Sequence, residues 1–207
     1  MIAVRFSVPI ACWRVGTARE YLESHELPPP ATCYGALLSL VGEADREVHR
    51  GCRVTAGLLN EPGNAEVLRT LWRFKDAKTL QGNKENARPD FQQLRIQADI
   101  VVWVDSSDET REATLERRVR VAFREPGAVD RFGGLSLGES THLINDAWLL
   151  EDSRPPGPCR AFLLDEHGSL TLPTWVDHVG STGTRFAVGA IRTIESAPTF
   201  TTMPTIG

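Results

Sequence analysis

Three glycines fall within six residues in the segment Phe132-Gly133-Gly134-Leu135-Ser136-Leu137-Gly138-Glu139-Ser140-Thr141-His142. Residues without side chains leave main-chain N–H groups uncovered and let a phosphate approach closely. Ser136, Ser140 and Thr141 add hydroxyl donors to the same stretch. It lacks the Gly-Lys-Ser/Thr of a Walker loop and does not open a helix as a dinucleotide fingerprint does. Phosphate binding is the chemistry this composition suits; a tight helix-to-strand connection is the structural alternative. Glu139 and Asp146 are seven apart and Asp165-Glu166 reads as a turn, so no carboxylate pair with metal spacing supports metal-dependent hydrolysis.

Charge is distributed unevenly. The chain carries a formal net charge of −4, which argues against a non-specific binder of nucleic acid. Between Arg69 and Arg95, however, seven basic residues stand against three acidic ones. All three lysines of the chain, Lys75, Lys78 and Lys84, lie there beside Arg73. A single basic projection on an acidic protein suits local contact with a phosphate backbone; a solvated charged loop is the plainer alternative. Trp13 and Tyr34 are candidates to stack on unpaired bases, although aromatics flanking apolar runs are usually core residues.

The elements that must position these residues follow from periodicity. Ile2, Val4, Phe6 and Val8 alternate as a half-buried strand, followed by a loop containing Arg14 and Arg19. Pro28-Pro29-Pro30 leads into a helix with Thr32 as the expected N-cap, Tyr34, Leu37, Leu38 and Val41 on one face, and Gly42 as the C-terminal cap. Residues 53–59 read as a strand. Val67–Phe74 and Phe91–Ile96 read as arms of a hairpin with the polar tip Gln81-Gly82-Asn83-Lys84. Ala98 to Val104 alternate as a further strand, and Leu115, Val119, Ala122 and Phe123 define a second helix over about 109–123. An apolar stretch, Leu143–Leu150, completes a βαββαβ order, the ferredoxin-like arrangement that RNA-recognition modules also use. The predicted fold class is therefore α+β: a ferredoxin-like core over 1–150 with a hairpin inserted at about 62–97. After the linker Arg154–Pro158, strand-like runs form a β-rich C-terminal extension over 151–207.

The segment Leu27-Pro28-Pro29-Pro30-Ala31-Thr32-Cys33-Tyr34-Gly35-Ala36-Leu37-Leu38-Ser39-Leu40-Val41-Gly42, taken with Phe132–His142, resembles the CRISPR-associated Cas-five family of the RAMP superfamily. Its DevS-like branch in type I systems is the nearest. The resemblance covers about residues 1–150. It implies an RNA-binding subunit that holds the 5′ handle of the guide RNA, caps a filament of backbone subunits through its thumb hairpin, and docks a large subunit that reads the protospacer-adjacent motif, with target DNA nearby. Carried onto this chain, it implies that Gly133, Gly134, Ser136, Gly138 and Ser140 face handle phosphates, with His142 beside them. Thr32 and Tyr34 lie near the same RNA, Arg14 and Arg19 are phosphate or base contacts, and Arg73, Lys75, Lys78 and Lys84 are thumb contacts.

Some family members cut precursor guide RNA without a metal, which needs a base for the 2′-OH and an acid at the leaving oxygen. His142, Tyr34 and a thumb lysine are the candidates here, but cutting members belong mainly to another branch, so no catalysis is expected. A general RNA-binding adaptor is the other alternative, weakened because Trp103 is the lone aromatic of the central strand. No cofactor is expected beyond the guide RNA as bound ligand. Cys12, Cys33, Cys52 and Cys159 are scattered without a CxxC pair, suggesting neither zinc nor a disulfide framework. No apolar run of membrane length and no leader pattern appear, so a cytoplasmic location is expected.

Overall fold

The computed structural model describes residues 1–16, 21–72 and 87–207. Among these the order is β1 (Ile2–Ala11), β2 (Tyr21–Leu22), α1 (Pro30–Leu40), β3 (Arg53–Leu58), β4 (Gly63–Trp72), β5 (Ala87–Asp105), α2 (Leu115–Arg124), β6 (Asp146–Leu150), β7 (Cys159–Leu164), β8 (Leu170–Trp175) and β9 (Arg185–Ile194). One sheet runs β6-β1-β5-β3-β7-β9-β8. Its first four strands pair antiparallel in the order a ferredoxin-like βαββαβ unit requires, as the sequence predicts.

Alternation explains which face each strand buries. Ile2, Val4, Phe6 and Val8 of β1 and Ile100, Val102 and Val104 of β5 are buried in one cluster with Leu37 of α1 and Leu115 and Val119 of α2. The opposite sheet face is also covered. Ala3, Val101, Trp103, Cys159, Ala161 and Met203 form a second buried cluster there. The Trp103 indole N–H donates to the Ser153 carbonyl at 2.8 Å. The face on which RNA-recognition modules usually stack bases is therefore closed at its centre by the chain's own C-terminal segment.

Helix boundaries differ from the periodic reading for identifiable reasons. α1 starts at Pro30 with Pro29 as its N-cap and no capping side chain, so Thr32 is an interior residue of the first turn and not the cap. Proline suits that position because its fixed φ matches the helix and it has no N–H to lose. Gly42 follows the C-cap with φ of +68°, as expected for a left-handed terminus. α2 begins later than predicted, at Leu115, because the Thr114 side chain accepts the Arg117 N–H at 3.4 Å and the Glu109 carboxylate accepts the Leu115 N–H at 3.1 Å.

The hairpin and the central strand are continuous. β4 pairs with β5 from Gly63↔Ile96 to Trp72↔Ala87, and β3 takes over the same edge from Leu58↔Ile100. The arm and strand read separately from the sequence are one 19-residue strand, about 60 Å long at ~3.3 Å per residue. At the changeover Gln97 adopts φ of +56°. The strand-like runs of the C-terminal region form β7, β8 and β9, and β7 continues the sheet by pairing with β3 at Gly57↔Ala161 and Leu58↔Arg160.

Candidate nucleic-acid interface

The glycine segment is a surface loop pinned from below. Leu137 is fully buried, its N–H donates to the His142 carbonyl at 3.1 Å, and its carbonyl accepts the Trp13 indole N–H at 3.3 Å. On either side of this anchor Gly133, Gly134, Gly138 and Ser140 are exposed and Ser136 is half-buried. Their backbone N–H groups find no acceptor in the protein among the described residues. Gly138 has φ of +130°, and a Cβ there would lie 3.1 Å from the Cys12 carbonyl oxygen, so the turn admits no side chain without strain.

His142 is the fastener. Its Nδ1 accepts two main-chain N–H groups, from Cys12 at 3.1 Å and from Glu139 at 3.2 Å. The ring thereby ties the loop to the end of β1, with its proton on Nε2. Burial pushes the ring's pKa below the ordinary histidine value, with Arg69 acting the same way against the opposing Glu139.

The loop forms a ridge with different chemistry on each side. Toward the hairpin, the Glu139 carboxylate receives the Arg69 guanidinium at 3.3 Å and the Gln92 amide at 3.0 Å, and Arg69 also bonds Gln92. Arg14, two residues past Cys12, is exposed near this side and pairs across its loop with Ser24. Toward α1, the loop borders a groove of about 310 Å³. Thr32, Gly35 and Ser39 of α1 form one wall, and Ser136 and Gly138 the rim. Thr174, Trp175 and His178, at and beyond the end of β8, form the far wall together with Arg46. The Arg46 guanidinium lies 3.8 Å above the Trp175 ring and donates to the Val176 carbonyl at 2.6 Å.

Thr32, Ser136 and Gly138 thus meet in one groove, while Gly133, Gly134 and Ser140 lie exposed along the loop beside it. Two expectations change. Tyr34 reaches the groove wall but is 3% exposed; its hydroxyl donates to the Arg46 carbonyl at 2.7 Å, and burial raises its pKa. Trp13 is 1% exposed and holds Leu137. Both are supports and neither is free to stack on a base. Arg19, Arg73, Lys75, Lys78 and Lys84 lie outside the described residues. Arg46, Thr174, Trp175 and His178 were missed, because nothing local marks residues brought together from distant parts of the chain.

A ferredoxin-like core carrying a surface loop of unoccupied main-chain donors defines the class: an α+β protein with a mostly antiparallel sheet and two helices. The chain is 62% identical over 207 residues to the CRISPR-associated protein Cas5 of Myxococcus xanthus (strain DK1622), covering 100% of this chain and 97% of that protein. The chain belongs to the CRISPR-associated Cas5 family. Among solved structures it is similar in fold to a chain of a CRISPR RNA-guided surveillance complex, with a TM-score of 0.59 at 12% identity, covering 94% of this chain and 89% of that one. A structure described as a Cas protein gives a TM-score of 0.52 at 14% identity, covering 95% and 94%. No family model matches the chain.

Proposed function

We propose that this chain is a non-catalytic subunit of a type I CRISPR surveillance complex that holds the 5′ handle of the guide RNA. The carrying observation is the ridge from Gly133 to Ser140, with exposed main-chain donors that the protein itself leaves unused. Thr32, in the first turn of α1, lies on the same groove as Ser136, so the positive end of that helix reinforces an anion site. The basic residues between Arg73 and Lys84, at the far end of the hairpin in sequence, supply further phosphate contacts and meet the neighbouring backbone subunit. The large subunit that reads the protospacer-adjacent motif docks beside the same body, near target DNA.

Catalysis is disfavoured by what the candidate groups already do. The His142 Nδ1 is committed to two amide donors, so it is not a free base for a ribose hydroxyl. The Tyr34 hydroxyl is buried on a carbonyl, with its pKa shifted upward and away from the range of a useful base.

The test is binding of a repeat-derived RNA carrying the 5′ handle, measured with the full chain by fluorescence anisotropy, alongside incubation of the same RNA in EDTA. Binding that weakens at least tenfold in Gly138→Ala is expected, with the RNA left intact. Equal affinity for the wild type and Gly138→Ala overturns the role of the loop; site-specific cleavage lost in His142→Ala overturns the non-catalytic assignment.

A further inference from the structure

We infer that the groove between α1, the glycine loop and β8 is a pocket for one unpaired nucleotide, with the C-terminal strands supplying its far wall. The inference rests on the guide-RNA reading above and adds where a single base of that RNA is held.

The groove's size, about 310 Å³, lies at the lower end of small-ligand sites and suits one nucleotide. Its lining contains no carboxylate. Asp177, next in sequence to Val176 of the lining, accepts the N–H groups of Val179, Gly180 and Gly183 and so is held within its own turn. Two cationic or protonatable groups, Arg46 and His178, line the wall instead.

The hydroxyls point the same way. Thr174 is 4% exposed and lines the groove, yet its hydroxyl has no hydrogen-bond partner among the described residues. Its oxygen is not among the side-chain atoms sealed from solvent without a partner, so it is reachable from the groove. Thr32, Ser39 and Ser136 line the same space with hydroxyls that are also unpartnered among the described residues. These groups match the edge of a base or the hydroxyls of a ribose, each of which both donates and accepts.

The groove also offers a flat surface and room to approach it. The Arg46 guanidinium is held over the Trp175 indole and fixed by the Val176 carbonyl, so its plane is set before any ligand arrives. A fixed guanidinium plane stacks on the face of any base. α1 lines the same groove with Ala31, Gly35 and Ser39, residues too small to block a ring.

The experiment uses the full chain and the unpaired handle RNA, with a parallel series in which each nucleotide in turn is abasic. One abasic position is expected to weaken wild-type binding about tenfold, the scale of one base-stacking interaction. Gly35→Leu is the plug: a Cβ at Gly35 meets no atom within 4 Å, so the fold and its melting midpoint are retained while the side chain fills the groove. This variant is expected to bind intact RNA about tenfold more weakly and to be indifferent to the sensitive abasic position. Thr174→Val, nearly isosteric, is expected to reduce discrimination among the four bases at that position. Wild-type affinity in Gly35→Leu, or a series without a sensitive position, overturns the pocket and leaves the guide-RNA reading standing. Failure of the wild type to bind the handle overturns both.

Discussion

One imidazole holds the candidate interface together. His142 satisfies the N–H groups of Cys12 and Glu139, both otherwise without a partner, so His142→Ala orphans two donors. Its expected cost is about 2–4 kcal/mol in denaturant unfolding, from an unsatisfied buried donor at Cys12 and a part-buried one at Glu139. The pH dependence follows from the direction of the shift. Burial depresses the native pKa below the ordinary 6.5, so the unfolded chain takes up a proton before the folded one does. The stability this ring contributes is complete above that ordinary value and is lost as pH falls through the depressed native value. His25, shifted the same way by burial, adds to the trend. Unfolding free energy of the wild type is therefore expected to drop between pH 7 and 5, and His142→Gln, which keeps an acceptor, should show a shallower drop. An identical pH profile in the two proteins would show that the ring does not titrate with folding.

The proposed loop site leaves no role in binding for the open sheet face of RNA-recognition modules, and the strands carry a test of that. Met203, fully buried against Trp103 and Val101, covers the face that RNA-recognition modules leave open. Met203→Ala is expected to cost about 2–4 kcal/mol by opening a cavity, with handle affinity unchanged in the protein that remains folded. A parallel loss of RNA affinity would place the transcript on the sheet after all. The elements themselves were legible in the residues because alternation and helical spacing survive in a half-buried sheet: β1, β3, β7, β8 and β9 fall where Ile2–Val8, residues 53–59 and the C-terminal apolar runs place them. What was illegible depended on partners. The start of α2 was set by Thr114 and the Glu109 carboxylate, the union of the hairpin arm with the central strand by a change of neighbour at Gln97. Likewise the glycine ridge announced itself through composition, whereas the Arg46–Trp175 wall of the groove exists only once β8 has been brought beside α1.

At the scale of the whole molecule, a net charge of −4 means that the proposed guide-RNA binding requires local geometry and the basic residues between Arg73 and Lys84 in the sequence. Replacing Arg73, Lys75, Lys78 and Lys84 with alanine is expected to flatten the dependence of log affinity on log salt by about 0.7 for each phosphate that is no longer neutralised. An unchanged slope in an anisotropy titration from low to physiological salt would remove the hairpin from the RNA path. The main path of the sheet ends at β6 and β8, and β2 and β4 each pair with β5 alone among the described residues. Outer strands with open hydrogen-bonding groups invite another chain to zip on, and each end here blunts that tendency differently. β6 is five residues long, and β8 carries Pro173, whose ring removes a donor from the strand. With those two borders spoiled, the longest edge left for another chain to zip onto among the described residues is β4, whose ten residues pair only with β5.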